Sequence, residues 1–392
     1  QKAIEHGLKI YGSATGDAVF FDGPLPVECL KLEALYPKSL PRELRAEVLP
    51  DQIPVVDLSL PEKTVLEQLR HACEVVGFMQ VVGHSVPHTV CTRLLDTARR
   101  FFALSKEVKE RYRMDKGREV RGYFGKGAEN VDGLLEDEKK GKGGNLKKNG
   151  KGKQDHKEGF DMRGSPDSQP PPTSECGRLF GATRSVEETD CEGFQNAVET
   201  YQRHVSSLAR NLLALFAKLL GKETGFFQER TTEMLSTHRI LHYWPLTDFE
   251  NEVSIGEHTD YGLLTILLQD NTGGLQVLDQ RSVAEGDEGE EKEKRWLACP
   301  PIDGAFVVNL GDMLAQWTSN RFKSTIHRVV NVSTTDRYSS PFFLEPDTHV
   351  RMDPADFPLP DGSISPSSSG DGPLPTSAEV LMRFYRRAGL IA

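Results

Sequence analysis

Apolar residues recur along this chain with two periods, and the change from one to the other divides it. "IPVVDLSL" (Ile53–Leu60) is a β-branched run that predicts a first strand. Leu66, Leu69, Cys73 and Val76 follow at helical spacing, and Gly77 predicts the stop. "FMQVVG" predicts a second short strand; after Pro87, Val90, Leu94, Ala98 and Phe101 mark another amphipathic helix. The clearest period runs from about Gly193 to Leu220. There Val198, Tyr201, Val205, Leu208, Leu212, Leu215 and Leu219 alternate steps of three and four, and Gly221 supplies a C-terminal stop. A dimerising coiled coil shares that spacing, but a single helix packed along a sheet is the simpler expectation. From about Arg239 the runs become short and β-rich: "HRILHYW", "LLTILLQ", "GLQVLD", "AFVVNL", "STIHRVVNV" and "RYSSPFFLEP". No helix long enough for a parallel crossover separates them, which predicts an antiparallel sandwich, jelly roll or barrel.

Several segments break the pattern. Residues 1–52 are rich in Pro and turn formers and read as an extension lying on a core. "EDEKKGKGGNLKKNGKGKQDHK" (Glu136–Lys157) offers almost nothing to bury and predicts a disordered insertion. No aromatic interleaves its lysines, so a solvated loop is expected and not a nucleic-acid arm. Arg281–Arg295 reads as a charged hairpin insertion, and Pro360–Ser377 as a further loop before a short C-terminal helix. The expected organisation is an extension (1–52), an N-terminal segment with the insertion (53–192), a β core with its supporting helix (193–350), and a C-terminal loop and helix (351–392).

Composition adds bounds. A chain of 392 residues can build a substantial core, and no apolar stretch is long enough to span a bilayer. The net charge of −10 argues against nucleic acid as a partner. The six cysteines are scattered without CxxC spacing, which points to a reducing cytoplasm. The first residue is Gln1, and the start shows no basic-then-apolar signal pattern.

The candidate chemistry lies in "GEHTDYGLLTILLQD" (Gly256–Asp270), where His258 and Asp260 stand two apart at the lip of an apolar run. In extended chain such residues point to one side and can converge. Two histidines and a carboxylate form a facial triad for Fe(II) with open positions. His327, on a later predicted strand, is the candidate third ligand among eleven histidines; His238, His242 and His349 also lie in or near strand-like segments. Uncompensated charges beside a buried strand are costly, and a metal removes that cost. Arg337 and Ser339 are likewise two apart. Guanidinium and hydroxyl together suit a carboxylate, either that of an internal Asp or Glu or that of a dicarboxylate cosubstrate.

The ordered set of motifs resembles the 2-oxoglutarate- and Fe(II)-dependent oxygenases, in the branch that contains isopenicillin N synthase and the plant hormone and flavonoid oxygenases. "GFMQVVGHSVP", "FFALSKEVKERY", "RGYF", "KEGFDM", "RILHYWP", "HTDYGLLTILLQD", "GDMLAQWTSNRFKSTIHRVVN" and "RYSSPFF" carry the likeness over about Ile53 to Pro346. The resemblance implies an α+β, mainly β fold: a double-stranded β-helix (jelly roll, cupin-like) with a long supporting helix and an N-terminal α/β segment. It implies iron ligation by His258, Asp260 and His327, and 2-oxoglutarate held by Arg337 and Ser339 with Tyr243 nearby. It further implies O2 as oxidant, ascorbate as a supporting reductant, and release of succinate and CO2 as a small organic metabolite is hydroxylated, desaturated or cyclised. Phe124, Phe160, Met162, Trp244, Tyr261 and Phe343 come from segments that face the site in that family, and are the substrate-lining candidates. A monomer is expected.

Three departures stand out. Gly83-His84-Ser85 replaces the usual Asn-His-Gly, read as a turn change. Leu241 replaces an Asn that often contacts the cosubstrate, and Trp244 replaces a Pro and is expected to bring a large ring close to the site. Gln269 and Asp270 read as structural turn residues. The alternatives are an oxidase of the same fold that uses no 2-oxoglutarate, an ethylene-forming type of reaction, and a non-catalytic binding protein. The last predicts a broken triad, and all three ligands are present.

Overall fold

The computed structural model describes residues 10–11, 18–19, 44–47, 53–114, 121–128, 154–165, 184–233, 235–249, 252–280, 294–358 and 373–387. Strands β1 (Val55–Asp57) and β2 (Phe78–Val82) pair in parallel, joined through helix α1 (Glu62–His71) and a π turn at Ala72–Val76. Gly77 terminates that helix with a left-handed φ of 74°, where a side chain would be strained. Helices α2 (His88–Phe102) and α3 (Lys106–Arg111) follow, then strands β3 (Gly122–Phe124) and β4 (Lys157–Arg163). The long helix α4 spans Phe194–Leu219, within a residue of the period that predicts it.

The remaining strands are β5 (Ser236–Tyr243), β6 (Ile255–His258), β7 (Leu264–Gln269), β8 (Leu275–Leu278), β9 (Trp296–Ala298), β10 (Phe306–Leu310), β11 (His327–Val329) and β12 (Arg337–Leu344). Helix α5 (Asp312–Trp317) lies between β10 and β11, and α6 (Ser377–Arg387) closes the described chain. They form a major sheet of order β1-β2-β10-β7-β12-β5-β4-β3 and a minor sheet of order β6-β11-β8-β9. Apart from β1–β2, the neighbours in these two sheets are antiparallel. The two sheets are those of a jelly roll, the double-stranded β-helix that the motifs imply.

All seven apolar positions that define the α4 period are buried, and they pack with Ile240, Ile266 and Phe342 of the major sheet. A sheet face, not a second helix, therefore covers the stripe. The other face of the major sheet meets the minor sheet across Phe78, Leu241, Tyr243, Ile255, Leu275, Val277, Val307 and Val329. Strand alternation assigns each residue of β5 to one side. His238 stacks on Tyr201 of α4 at 5.0 Å, whereas Thr237, Arg239, Leu241 and Tyr243 face the space between the sheets.

One expectation needs correction. The end of the expected disordered insertion, Gln154–Lys157, is ordered: Gln154 and Asp155 pair with Glu252 and Val253, and Lys157 opens β4. Asp155 and Lys157 are both buried because their charges pair at 3.1 Å. Composition registers two charges there and not their partnership. The rest of that insertion, most of the charged hairpin and most of the Ser/Pro/Gly stretch lie outside the described residues. No described helix is long and apolar enough to cross a membrane.

Candidate active site

β6 and β11 are antiparallel neighbours in which His258 and His327 are register partners, so their ring centroids stand 4.2 Å apart. Asp260 lies in the turn after β6, not on a strand. That turn is pinned to the start of α5: Asp312 N donates to the Asp260 carbonyl at 2.8 Å, and Met313 N to that of Tyr261 at 2.9 Å. The crossing is tight enough that a side chain on Gly311 would collide with the Gly262 carbonyl oxygen.

The three side chains converge. One ligand atom from each lies within 4.8 Å of the other two. Asp260 Oδ1 is 3.9 Å from His258 Nε2 and 3.8 Å from His327 Nε2. His258 Nδ1 donates to the Gly256 carbonyl at 2.8 Å, and His327 Nδ1 to that of Thr325 at 3.1 Å. A carbonyl only accepts, so each Nδ1 carries the proton and each Nε2 keeps its lone pair for a metal. Asp260 Oδ2 accepts from Thr265 Oγ1 at 2.6 Å and Asn309 Nδ2 at 2.7 Å, which leaves Oδ1 facing the imidazoles. Burial, reinforced by His327, pushes His258 down to about 3, so its imidazole is neutral near pH 7. Burial raises Asp260, but the two imidazoles and two hydrogen bonds outweigh it and hold the carboxyl below its ordinary range. Two imidazole nitrogens and one carboxylate oxygen, oriented by hydrogen bonds on their far sides, fit a divalent iron ion.

The cavity beside them runs between the sheets to Arg337, whose guanidinium is fully buried. Its Nη1 donates to Ser339 Oγ at 3.3 Å and its Nη2 to Gln269 Oε1 at 3.0 Å, with the Tyr243 ring 4.9 Å away. Nε is buried without a hydrogen-bond partner, and no described carboxylate pairs with this cation. A buried charge so placed calls for an anion from outside the chain. Gln269 is thus more than a turn residue, while Asp270 accepts from Tyr338 N and Thr272 N and is structural.

Tyr243, Ser339, Tyr261 and Phe343 line the cavity with the triad and Arg337. Phe160 and Met162 do not. Alternation along β4 turns Asp161 to the cavity and sends these two into the core beneath α4. Phe124 packs with Leu241 and Tyr243 between the sheets and is not among the lining residues. Trp244 contacts the rings of His242 at 4.8 Å and His156 at 5.4 Å, so the expected large ring beside the site is absent. Leu241 lines the cavity, an apolar side chain in place of the family's Asn. Gly83 has a φ of 63°, as a turn change allows.

Other lining residues escaped sequence reasoning. Phe78 meets the edge of His327 at 5.0 Å. Arg239 grips Asp161 through Nε at 2.5 Å and Nη2 at 2.7 Å. Glu345 follows Arg337, Ser339, Pro341 and Phe343 at steps of two, a spacing visible in the sequence itself. Leu381, Phe384 and Tyr385 of α6 complete the wall, and Phe384 stacks on Tyr261 at 3.5 Å. Nothing in the α6 sequence announces that docking.

A jelly roll that holds two imidazoles and a carboxylate in one cavity with a guanidinium that no described carboxylate pairs defines a mononuclear non-haem iron oxygenase. Residues 234–346 match the 2OG-Fe(II) oxygenase superfamily, and residues 53–179 the non-haem dioxygenase in morphine synthesis N-terminal family. The chain is 34% identical over 294 residues to the 2-oxoglutarate-Fe(II) type oxidoreductase hxnY of Emericella nidulans, covering 71% of this chain and 73% of that one. It is 30% identical over 310 residues to the 2-oxoglutarate-dependent dioxygenase traH of Penicillium crustosum, covering 74% and 82%. Among solved structures, a full-length Neurospora crassa protein in complex with alpha-KG superposes with a TM-score of 0.66 at 23% identity, over 87% of this chain and 98% of that one; this likeness concerns the fold. A 2OG-Fe(II) oxygenase family protein from Caulobacter crescentus gives a TM-score of 0.66 at 26% identity, over 85% and 98%. The chain belongs to the 2OG-Fe(II) oxygenase superfamily and is a 2-oxoglutarate-dependent non-haem iron dioxygenase.

Proposed function

We propose that His258 Nε2, Asp260 Oδ1 and His327 Nε2 hold the iron, that Arg337 and Ser339 hold the distal carboxylate of 2-oxoglutarate, and that the rest of the cavity receives a small organic substrate. The observation that carries this is the fully buried Arg337 guanidinium, which has no described carboxylate partner and opens on the cavity that also contains the triad. Iron, when bound, couples O2 to the oxidative decarboxylation of 2-oxoglutarate to succinate and CO2, and to oxidation of the substrate.

The protein's own work is positional. Thr265 and Asn309 fix the Asp260 carboxylate, and the Gly256 and Thr325 carbonyls fix the two imidazoles. Arg337, Ser339, Gln269 and the Tyr243 face cradle a carboxylate at one end of the cavity. Apolar walls (Phe78, Leu267, Leu275, Val329) exclude water between the two. The cavity between the sheets supports a small molecule as the substrate. The described cysteines, Cys73, Cys91, Cys191 and Cys299, are buried free thiols, which supports a cytoplasmic setting.

The test is a succinate-release assay with Fe(II), ascorbate and 2-oxoglutarate over a metabolite library. Succinate formation that requires Fe(II) and is lost in His327→Ala supports the reading. Iron content and turnover unchanged in His327→Ala would sink the ligand assignment, and substrate oxidation without succinate would transfer the protein to the oxidase type.

A further inference from the structure

β12 turns Arg337, Ser339, Pro341 and Phe343 into the cavity, and Glu345, one residue past its end, continues the row. At ~3.3 Å per residue, the row from Arg337 to Glu345 extends roughly 26 Å, well beyond the reach of a five-carbon diacid. The Glu345 end is therefore left for a second molecule.

The charges at that end are not equivalent. Arg239 and Asp161 satisfy each other through two hydrogen bonds. The Glu345 carboxyl accepts no hydrogen bond from another described residue and meets only its own backbone N–H and the field of Arg121, although Glu345 is only 8% exposed and lines the cavity. Its backbone N is engaged, donating to the Leu235 carbonyl at 2.9 Å, so the strand end is fixed while the side chain is not. A buried carboxyl with most of its acceptor sites unfilled lowers stability and is rare unless a ligand completes it.

We propose that Glu345 selects the substrate, and that the substrate is a flat ring compound carrying a polar hydrogen, N–H or O–H, which Glu345 accepts. The ring follows from the walls. Phe343 and the stacked pair Tyr261–Phe384, with an interplanar angle of 28°, line the cavity together with Glu345. Burial pushes the Glu345 carboxyl up to about 8, with Asp260 raising it and Arg121 opposing. A neutral acid both donates and accepts, which suits an uncharged N–H or O–H and leaves an adjacent carbonyl a donor. The proposal rests on the oxygenase reading of this cavity, and it assigns to one residue the choice of substrate that the family does not specify.

The test uses matched pairs of ring probes: 2-pyridone and N-methyl-2-pyridone, phenol and anisole, indole and N-methylindole. Each is titrated calorimetrically, without O2, into the full chain holding Fe(II) and 2-oxoglutarate. The expected result is that polar-hydrogen members bind about tenfold more tightly than their methylated twins, as one hydrogen bond to a buried group provides. Glu345→Gln, which keeps a donor and an acceptor on the same shape, retains that preference. Glu345→Leu reduces it to about twofold or less without lowering the thermal midpoint, because burial of the carboxyl outweighs what its own backbone N–H and Arg121 return; Glu345→Met is the second variant should Leu fail to fold. No preference in the wild type, no binding by any member, or a preference that survives in Glu345→Leu or Glu345→Met overturns the proposal. A wild type that makes no succinate from 2-oxoglutarate and Fe(II) overturns the oxygenase reading instead, and the two failures are separately visible.

Discussion

Replacing Arg337 probes the cosubstrate end most directly. The guanidinium is fully buried, donates to Ser339 and Gln269, both neutral, and leaves Nε without a partner. In the absence of a bound anion this is an uncompensated charge, so Arg337→Leu should melt at or above the wild-type temperature. With 2-oxoglutarate the order reverses. Leaving one member of a buried charge pair without the other costs about 3–5 kcal/mol. At about 1.4 kcal/mol per tenfold, Arg337→Ala should weaken 2-oxoglutarate by roughly two to more than three powers of ten. Arg337→Lys keeps the charge but loses the fork, and the loss of one charge-assisted hydrogen bond (~1.5–3 kcal/mol) corresponds to roughly ten- to a hundredfold. The assay is anaerobic calorimetry of 2-oxoglutarate with Fe(II), backed by thermal unfolding. At a hundredfold excess over Kd the wild type should gain about 2.7 kcal/mol of stability, and Arg337→Ala close to none at the same concentration. Equal affinity in wild type and Arg337→Ala would refute the argument, as would a wild type whose melting is indifferent to 2-oxoglutarate.

Three further outcomes are expected. Asn309→Leu removes one of two donors to Asp260 Oδ2, and should lower iron affinity about 10–100-fold, read by Fe(II) titration, with the fold retained by circular dichroism. Gly311→Ala forces the β10–α5 junction away from Gly262 and should destabilise by about 1–3 kcal/mol in urea unfolding; an unchanged midpoint would show that the crossing is looser than it looks. Burial pushes His238 down to about 3 from 6.5, so between those values the unfolded chain binds a proton that the folded one refuses. Stability should therefore fall as pH drops below about 6.5, by up to about 1.4 kcal/mol per unit from this group, and urea midpoints at pH 7 and 5.5 should show a shallower loss in His238→Gln.

How much of this was readable in the chain depends on the distance over which each signal acts. The α4 period and its two flanking glycines are local, and the helix lies where they put it. His258 and Asp260, like Arg337 and Ser339, are two apart, so convergence could be argued without a fold, and the ordered motifs supplied His327 as the third ligand. What decided that His258 and His327 touch is the β6–β11 register, a pairing between residues 69 positions apart that no local pattern encodes. The same holds for Thr265 and Asn309 on Asp260, and for Gln269 on Arg337. Phe160 and Met162 were misplaced by one pleat, since a residue's side of a strand is settled only by what the sheet packs against. Composition places Lys157 in a solvated loop because its burial depends on Asp155, and charge in a sequence carries no record of its partner. Local periodicity is a property of one segment and survives in the sequence; register, facing and charge pairing are properties of two, and exist only once the sheets have closed on each other.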